Sequence, residues 1–316
     1  MADHFYSKDF DFDPWHGSRH TYLLATLPRA GSTYCAVQFW RTGLMGAPLE
    51  YLNLQDMKRV LVPRLVRARQ LEDADDTLCA YWQDVKRIRT SQNGVFGCKI
   101  FMQSLYVLMR NHFSIFQDLK PEYVIYLTRK DVVAQAVSLS RAMRSSEWFA
   151  SGSDSSVALD FDFDHIDKCL GLIFRQLSFW EDVFARSETR PVRIFYEDLN
   201  SNPELVVASI MKKMGISGDP SRAINIPGLQ RQSDQTSQIW RKLYLEALRI
   251  RAAESDESAH SKLSRIEAVA LLGNSSEVAG EREDETLEFR LDGDAPSNLR
   301  TAMCASMISS LILEGA

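Results

Sequence analysis

The stretch Tyr22–Glu50, YLLATLPRAGSTYCAVQFWRTGLMGAPLE, constrains the fold of this chain more than any other segment. An apolar run of strand length, Tyr22 to Leu27, meets a breaker-rich turn, Pro28-Arg29-Ala30-Gly31-Ser32-Thr33. Cys35 to Leu44 then carries apolar residues at helical spacing. Strand, tight turn and helix is how an α/β fold offers backbone N–H groups and the positive end of a helix to an anion. Arg29 adds a charge, and Ser32 and Thr33 add hydroxyl donors. A phosphate or sulfate site fits this pattern; so does an ordinary βα turn whose arginine faces solvent. A triphosphate loop of the GxxxxGK[ST] type is excluded, because Gly31 stands where the lysine must be, and no GxGxxG occurs.

The same logic recurs downstream. Tyr123-Val124-Ile125-Tyr126-Leu127-Thr128 is the most strand-like run in the chain. It ends in Arg129-Lys130-Asp131, and a helix carrying Ser138 and Arg141 follows. Ligands of open α/β sheets sit beyond the C-terminal ends of the strands, so Arg29 and Arg129 together predict a doubly basic pocket. Gly94 to Phe101 reads as another strand, interrupted by Lys99. A buried lysine is costly unless paired, so Lys99 is expected to reach a carboxylate or an anionic ligand. Between Thr42 and Tyr51, two glycines and a proline end the first helix and impose a turn with Glu50 just beyond it. Glu50 either caps a helix over Leu54–Val66 or belongs to the site.

Further helices are expected over Leu78–Arg89, Gln103–Phe113, Asp164–Ala185, Glu204–Met214 and Trp240–Ile250, with a strand over Val192–Tyr196. The basic residues among Asp56 to Arg69 form either a solvated helix face or a rim that guides an anion. Ser145 to Ser156 is polar and suits a surface loop or a lid. Residues 252–261 are linker-like, which suggests one domain over 1–250 and an accessory extension over 251–316. The large apolar residues of Asp164–Ala185 exceed what one helix on one sheet requires, so a homodimer is expected.

Composition removes several classes. A net charge of −5 argues against a nucleic-acid partner. No apolar run reaches the length of a transmembrane segment, and the acidic, aromatic N-terminus does not resemble a secretory signal. Cys35, Cys79, Cys98, Cys169 and Cys304 form no CxxC and read as reduced thiols of a cytoplasmic protein. The six histidines form no HExxH or ligand cluster, so no metal is expected. No GxSxG nucleophile turn is present. What remains is group transfer from an anionic donor: arginines and N–H groups stabilise the transferred charge, and a carboxylate or histidine activates an acceptor hydroxyl. An ATP-dependent phosphotransferase would need a P-loop lysine and a metal-binding carboxylate after a strand, and neither is found.

These residues are also those by which the chain resembles the sulfotransferases, and more closely the bacterial Stf0-type family, whose type member sulfates trehalose. Leu27 to Thr33 is similar to the family's Arg-Ser-Gly-Ser-Thr loop, with Ala30 in place of a serine. Thr42-Gly43 through Pro48-Leu49-Glu50-Tyr51 resembles its Thr-Gly…Gly-x-Pro-x-Glu-Tyr/Phe segment. Leu127 to Asp131 with Gln135 to Arg141, Phe96-Gly97-x-Lys99, Tyr196-Glu197-Asp198-Leu199 and Arg231-Gln232-Ser233-Asp234 match further blocks in the family's order, over roughly Tyr22 to Arg249. The resemblance implies a three-layer, P-loop-like α/β fold with a central, mostly parallel sheet flanked by helices. It implies a donor, 3′-phosphoadenylyl sulfate (PAPS), and a product, 3′-phosphoadenosine 5′-phosphate (PAP). Arg29, Ala30, Gly31, Ser32 and Thr33 would hold the phosphosulfate, and Arg129, Ser138 and Arg231 the 3′-phosphate. Glu50 would be the base for a carbohydrate or glycolipid hydroxyl, and Lys99 would act near the transferred group. The alternative is an inactive, sulfotransferase-like nucleotide-binding or scaffold protein. Ala30 removes one hydroxyl from the loop, so an altered donor affinity is expected.

Overall fold

A computed structural model describes residues 5–17, 19–53, 60–66, 74–111, 113–145, 148, 159–218, 226, 235–274 and 301–303. Four strands, β1 (His20–Thr26), β2 (Val95–Ile100), β3 (Tyr123–Thr128) and β4 (Val192–Phe195), form one sheet in the order β2-β1-β3-β4, with every pairing parallel. All residues of β2 and β3 are buried. A parallel sheet must be covered on both faces, which is why its strands read as continuous apolar runs rather than alternating ones.

The helices are α1 (Ser32–Arg41), α2 (Val62–Val66), α3 (Ala74–Arg89), α4 (Met102–Asn111), α5 (Phe113–Asp118), α6 (Val132–Ser145) and α7 (Phe163–Ser187). After β4 come α8 (Tyr196–Ser201), α9 (Pro203–Lys213), α10 (Gln235–Ala253) and α11 (Glu257–Asn274). The chain passes from β1 outward to β2, then crosses back to β3 on the other side of β1. The loops after β1 and β3 therefore diverge and leave a crevice at the C-terminal edge of the sheet, where open α/β sheets bind ligands.

The outer helices pack on α7, and one of them corrects the expected organisation of the chain after α10. The apolar residues of α7 are absorbed within the chain. Trp180 Nε1 donates to the Thr26 carbonyl at 3.3 Å, Trp180 stacks on Phe184, and Phe184 meets the Tyr126 ring edge-on at 5.0 Å. Arg265 covers Phe174 from α11. The apolar residues of α7 are thus accounted for by intrachain packing. Residues 252–261 are not a linker: α10 runs to Ala253, and α11 starts at Glu257 behind Asp256, whose carboxylate accepts from the Ser258 and Ala259 N–H groups. Both helices dock on α7 through Asp167, which accepts from Tyr244 Oη at 2.7 Å and pairs with Lys262 at 2.8 Å.

The lead-in before β1 is ordered by a buried charge. Arg89, at the end of α3 and 0% exposed, pairs with Asp11 at 3.0 Å, donates to the Phe5 and Ser7 carbonyls, and lies over Trp40. Asp11 also takes Arg64 at 2.7 Å, so this arginine of the expected basic rim serves packing. The rest of that stretch, apart from Val60 to Val66, lies outside the described residues, as do most of Ser145–Ser156 and nearly all of the chain after Asn274.

Gly97 is required where it stands. A Cβ there would lie 2.3 Å from Tyr22 Cζ, because the Tyr22 ring crosses β2 to donate from Oη to the Met45 carbonyl at 2.9 Å. Gly97→Ala is expected to destabilise the protein by about 1–3 kcal/mol through overpacking. A urea unfolding midpoint equal to the wild type's would show that Tyr22 can move without cost.

Candidate active site

The β1–α1 loop is built to present donors. Arg29 and Gly31 both adopt the left-handed region, at φ 63° and 80°. That conformation is uncommon for arginine and is maintained here by the surroundings. Gln135 of α6 donates to the Pro28 carbonyl at 2.7 Å. Arg29 donates from Nε to Ser138 Oγ at 2.9 Å and from Nη1 to the Trp148 carbonyl at 2.7 Å. Gly31 lies under the Tyr196 ring, where a Cβ would approach Cδ2 to 2.2 Å. The first hydrogen bond of α1 runs from Cys35 N–H to the Gly31 carbonyl, so the Ser32, Thr33 and Tyr34 N–H groups precede the helical ladder at its positive end. Ala30 is fully buried in the apolar core. The loop offers this residue through its backbone, the role that the sequence leaves to it in the absence of a hydroxyl.

Arg129, after β3, lies beside this loop. Its guanidinium covers the Tyr196 ring at 5.2 Å, and its Nε, 3.7 Å from Glu197 Oε1, is buried without a hydrogen-bond partner among the described residues. The two arginines feel each other: burial, and secondarily the charge of Arg129, push the Arg29 guanidinium down to about 10. Two buried cations in mutual repulsion, one with an unused donor, suit an anion. Arg29, Gly31, Ser32, Thr33, Ser138 and Arg129 are thus brought together, while Arg231 lies outside the described residues.

Glu50 reaches the loop by a reversal of the chain. Gly43 and Gly46, at φ 67° and 66°, turn it after α1; at Gly46 a Cβ would meet the Val95 carbonyl at 2.8 Å. Residues 47–49 then run back along the outer side of β2, with the Ala47 N–H on the Arg89 carbonyl and the Lys99 N–H on the Leu49 carbonyl. This places Glu50 at the end of β2, where its Oε1 lies 2.8 Å from Lys99 Nζ and its Oε2 accepts from Asn53 Nδ2 at 3.2 Å. Lys99 also donates to Thr33 Oγ1 at 3.2 Å. One ammonium, only 2% exposed, thereby joins a carboxylate that is 21% exposed to the anion loop. The lysine has the carboxylate partner its burial demanded.

Cys35, whose place at the head of α1 suggests a stabilised thiolate, is fully buried, and burial pushes its thiol well above the usual range; it is a packing residue. Tyr81 and Trp82 are likewise core. Tyr196, Glu197, Gln135 and Asn53 hold the site although the residues by themselves give them no role. Tyr196, Glu197 and Gln135 sit in blocks noted in the sequence; Asn53 acts through its contact with Glu50, which no local pattern encodes. No group of three or more metal-ligating side chains occurs among the described residues, and no helix among them is long and apolar enough to cross a membrane.

The sequence model of the Stf0 sulphotransferase family matches residues 21–247. The chain is 24% identical over 257 residues to trehalose 2-sulfotransferase of Mycolicibacterium smegmatis, covering 71% of this chain and 93% of that protein. It is 27% identical over 251 residues to trehalose 2-sulfotransferase of Mycobacterium tuberculosis, covering 69% and 92%. Among solved structures, a sulfotransferase from Alicyclobacillus acidocaldarius aligns over 81% of this chain and 97% of that one, at 12% identity and a TM-score of 0.40.

The arginine pair generates a ligand-independent expectation. Inorganic sulfate should raise the thermal midpoint of the wild type above a chloride control of equal ionic strength, by about 2–4 °C per kcal/mol of binding energy. The Arg29→Ala/Arg129→Ala double variant should show no such difference. Equal shifts in both proteins would place the anion site elsewhere.

Proposed function

The chain belongs to the Stf0 sulphotransferase family, and from that premise we propose that this sulfotransferase moves a sulfuryl group from PAPS to a hydroxyl of a carbohydrate or glycolipid, giving a sulfate ester and PAP. The observation that carries this reading is the bridge from Thr33 through Lys99 to Glu50. It sets a carboxylate and an anion loop, on different elements, around one ammonium.

In this reaction the acceptor oxygen forms a bond to sulfur while the bond from sulfur to the bridging phosphate oxygen breaks. The hydroxyl proton passes to the Glu50 carboxylate, and the electron pair of the broken bond stays on PAP. Arg29, the α1 N–H groups and the Ser32 and Thr33 hydroxyls bind the phosphosulfate. Arg129, with Ser138 positioned by Arg29 Nε, serves the 3′-phosphate. Lys99 offsets charge on the sulfuryl oxygens as the group passes from the bridging phosphate oxygen to the acceptor oxygen, a role that suits a point charge with several donors. Asn53 and Lys99 orient the Glu50 carboxylate, and each of its oxygens keeps a lone pair for the proton. A proton acceptor so placed contributes about 10²–10⁴-fold.

The trehalose 2-sulfotransferases to which the chain is similar make trehalose the first acceptor to try; labelled transfer from PAPS to a panel of small carbohydrates and glycolipids extends the search. Calorimetry should show PAP binding more tightly than ATP; tighter ATP binding would reject the donor assignment. Arg29→Ala and Arg129→Ala should each weaken PAP by about 10- to 150-fold, as expected when a charge-assisted hydrogen bond is lost. Glu50→Gln should keep PAP affinity and lose about 10²-fold or more in turnover. Near-equal transfer by wild type and Glu50→Gln would remove Glu50 from the chemistry. No transfer across the panel, with PAP still bound, would favour the binding-protein alternative.

A further inference from the structure

The loop after β3 is held by a carboxylate, an unexpected neighbour for an anion site. Glu197, in the first turn of α8, accepts from the Lys130 N–H through Oε2 at 2.9 Å and from the Asp131 N–H through Oε1 at 3.2 Å. Oε1 also faces Arg129 Nε at 3.7 Å, too far for a hydrogen bond. Lys130 is turned away to Asp198, at 2.7 Å. The Asp131 carboxylate accepts from the Ala134 N–H at 2.9 Å and pairs with Arg241 at 2.7 Å. The Lys130 and Asp131 N–H groups ahead of α6 and the Ala134 N–H in its first turn are therefore occupied by protein carboxylates, which act there as built-in anions, and the second cation of the loop is already paired. Arg129 is different. Its Nε has no hydrogen-bond partner among the described residues, and its guanidinium rests on Tyr196, the ring that also covers Gly31.

We propose that Glu197 is the positioning residue of this second anion subsite. By occupying the Lys130 and Asp131 N–H groups and fixing the loop under Arg129, it leaves Arg129 as the group to which an incoming phosphate must bind. The carboxylate thus directs the ligand to one arginine and denies it the helix end. This inference rests on the PAPS reading above, with the 3′-phosphate at Arg129, and it concerns residues that touch the ligand only through Arg129.

Comparison of two ligands that differ by that one phosphate tests it. Calorimetry is run with PAP and with adenosine 5′-phosphate on wild type, Glu197→Ala and Glu197→Gln. In Glu197→Ala, PAP affinity should fall about tenfold, the lower end of the contribution of a charge-assisted hydrogen bond, while adenosine 5′-phosphate affinity should change less than about twofold, because that ligand lacks the group concerned. Glu197→Gln keeps one acceptor oxygen and should recover part of the PAP loss. If the alanine variant does not fold, the glutamine variant carries the same comparison with a smaller, still PAP-selective, loss. Equal losses for both ligands would make Glu197 a general structural residue and overturn the proposal. Unchanged or tighter PAP binding would overturn it as well, since the carboxylate would then only repel the ligand. A wild type that binds PAP no better than adenosine 5′-phosphate would instead reject the assignment of the 3′-phosphate to Arg129.

Discussion

The buried ammonium of Lys99 is the constraint to which much of the N-terminal half answers. An ion removed from water costs several kcal/mol after relaxation unless a partner with good geometry is supplied. β2 is a buried parallel strand whose other residues are apolar or small, so the partner must come from another element. The reversal at Gly43 and Gly46 supplies it, carrying the chain back along β2 until Glu50 faces Lys99. Tyr22 pins that reversal through the Met45 carbonyl and needs Gly97 to pass. Ser91 and Asn93 hold the Leu44 carbonyl from the other side. Motifs dispersed between Tyr22 and Lys99 are therefore one mechanical unit, and its product is a carboxylate within reach of the anion loop.

The opposite edge of the site obeys a different rule. There the positive charge is left in excess rather than neutralised. Arg29 is depressed by its own burial and by Arg129, and Arg129 Nε has no hydrogen-bond partner among the described residues. The nearby carboxylates engage backbone N–H groups, Lys130 and Arg241. A chain with a net charge of −5 thus carries a local cationic crevice. Overall charge says little about a pocket whose character is set by which few ions remain uncompensated.

How much of this was legible follows the range of the interactions involved. The strands were readable because both faces of a parallel sheet are buried: the expected Tyr123–Thr128 coincides with β3, and β1 and β2 shift by a residue or two at their ends. Lys99 announced itself as a charge in an apolar run. The anion loop was readable because strand, breaker and helix are contiguous. The left-handed Arg29 was not, since its conformation is imposed by Gln135, Ser138 and Trp148, more than a hundred positions away. α11 was misread in part because Asp256 to Ser261 is polar. Those residues form a cap and a largely solvent-facing first turn, and the helix attaches through Ala259, Leu263 and Ile266 and the pair Lys262–Asp167. Counting the apolar residues of α7 against one sheet omits the α6, α10 and α11 surfaces that cover it.

The two halves of the site differ in the work they leave for a ligand. Glu50 and Lys99 satisfy each other in the free protein, so that half is pre-organised and gains little from being filled by an anion. Arg29 and Arg129 repel each other in the free protein, and an anionic group at each would replace that repulsion with attractions in a setting of low polarity, where each is stronger than in water. Natural sequences violate local consistency chiefly where function requires it. The binding energy of an anion should therefore reside in the arginine crevice rather than at Lys99, which already has a carboxylate partner. This lysine touches both the anion loop, through Thr33, and the carboxylate, through Glu50. A charge that arrives on the loop competes with Glu50 for that ammonium, so occupation of the donor site and release of the carboxylate are coupled through a single Nζ.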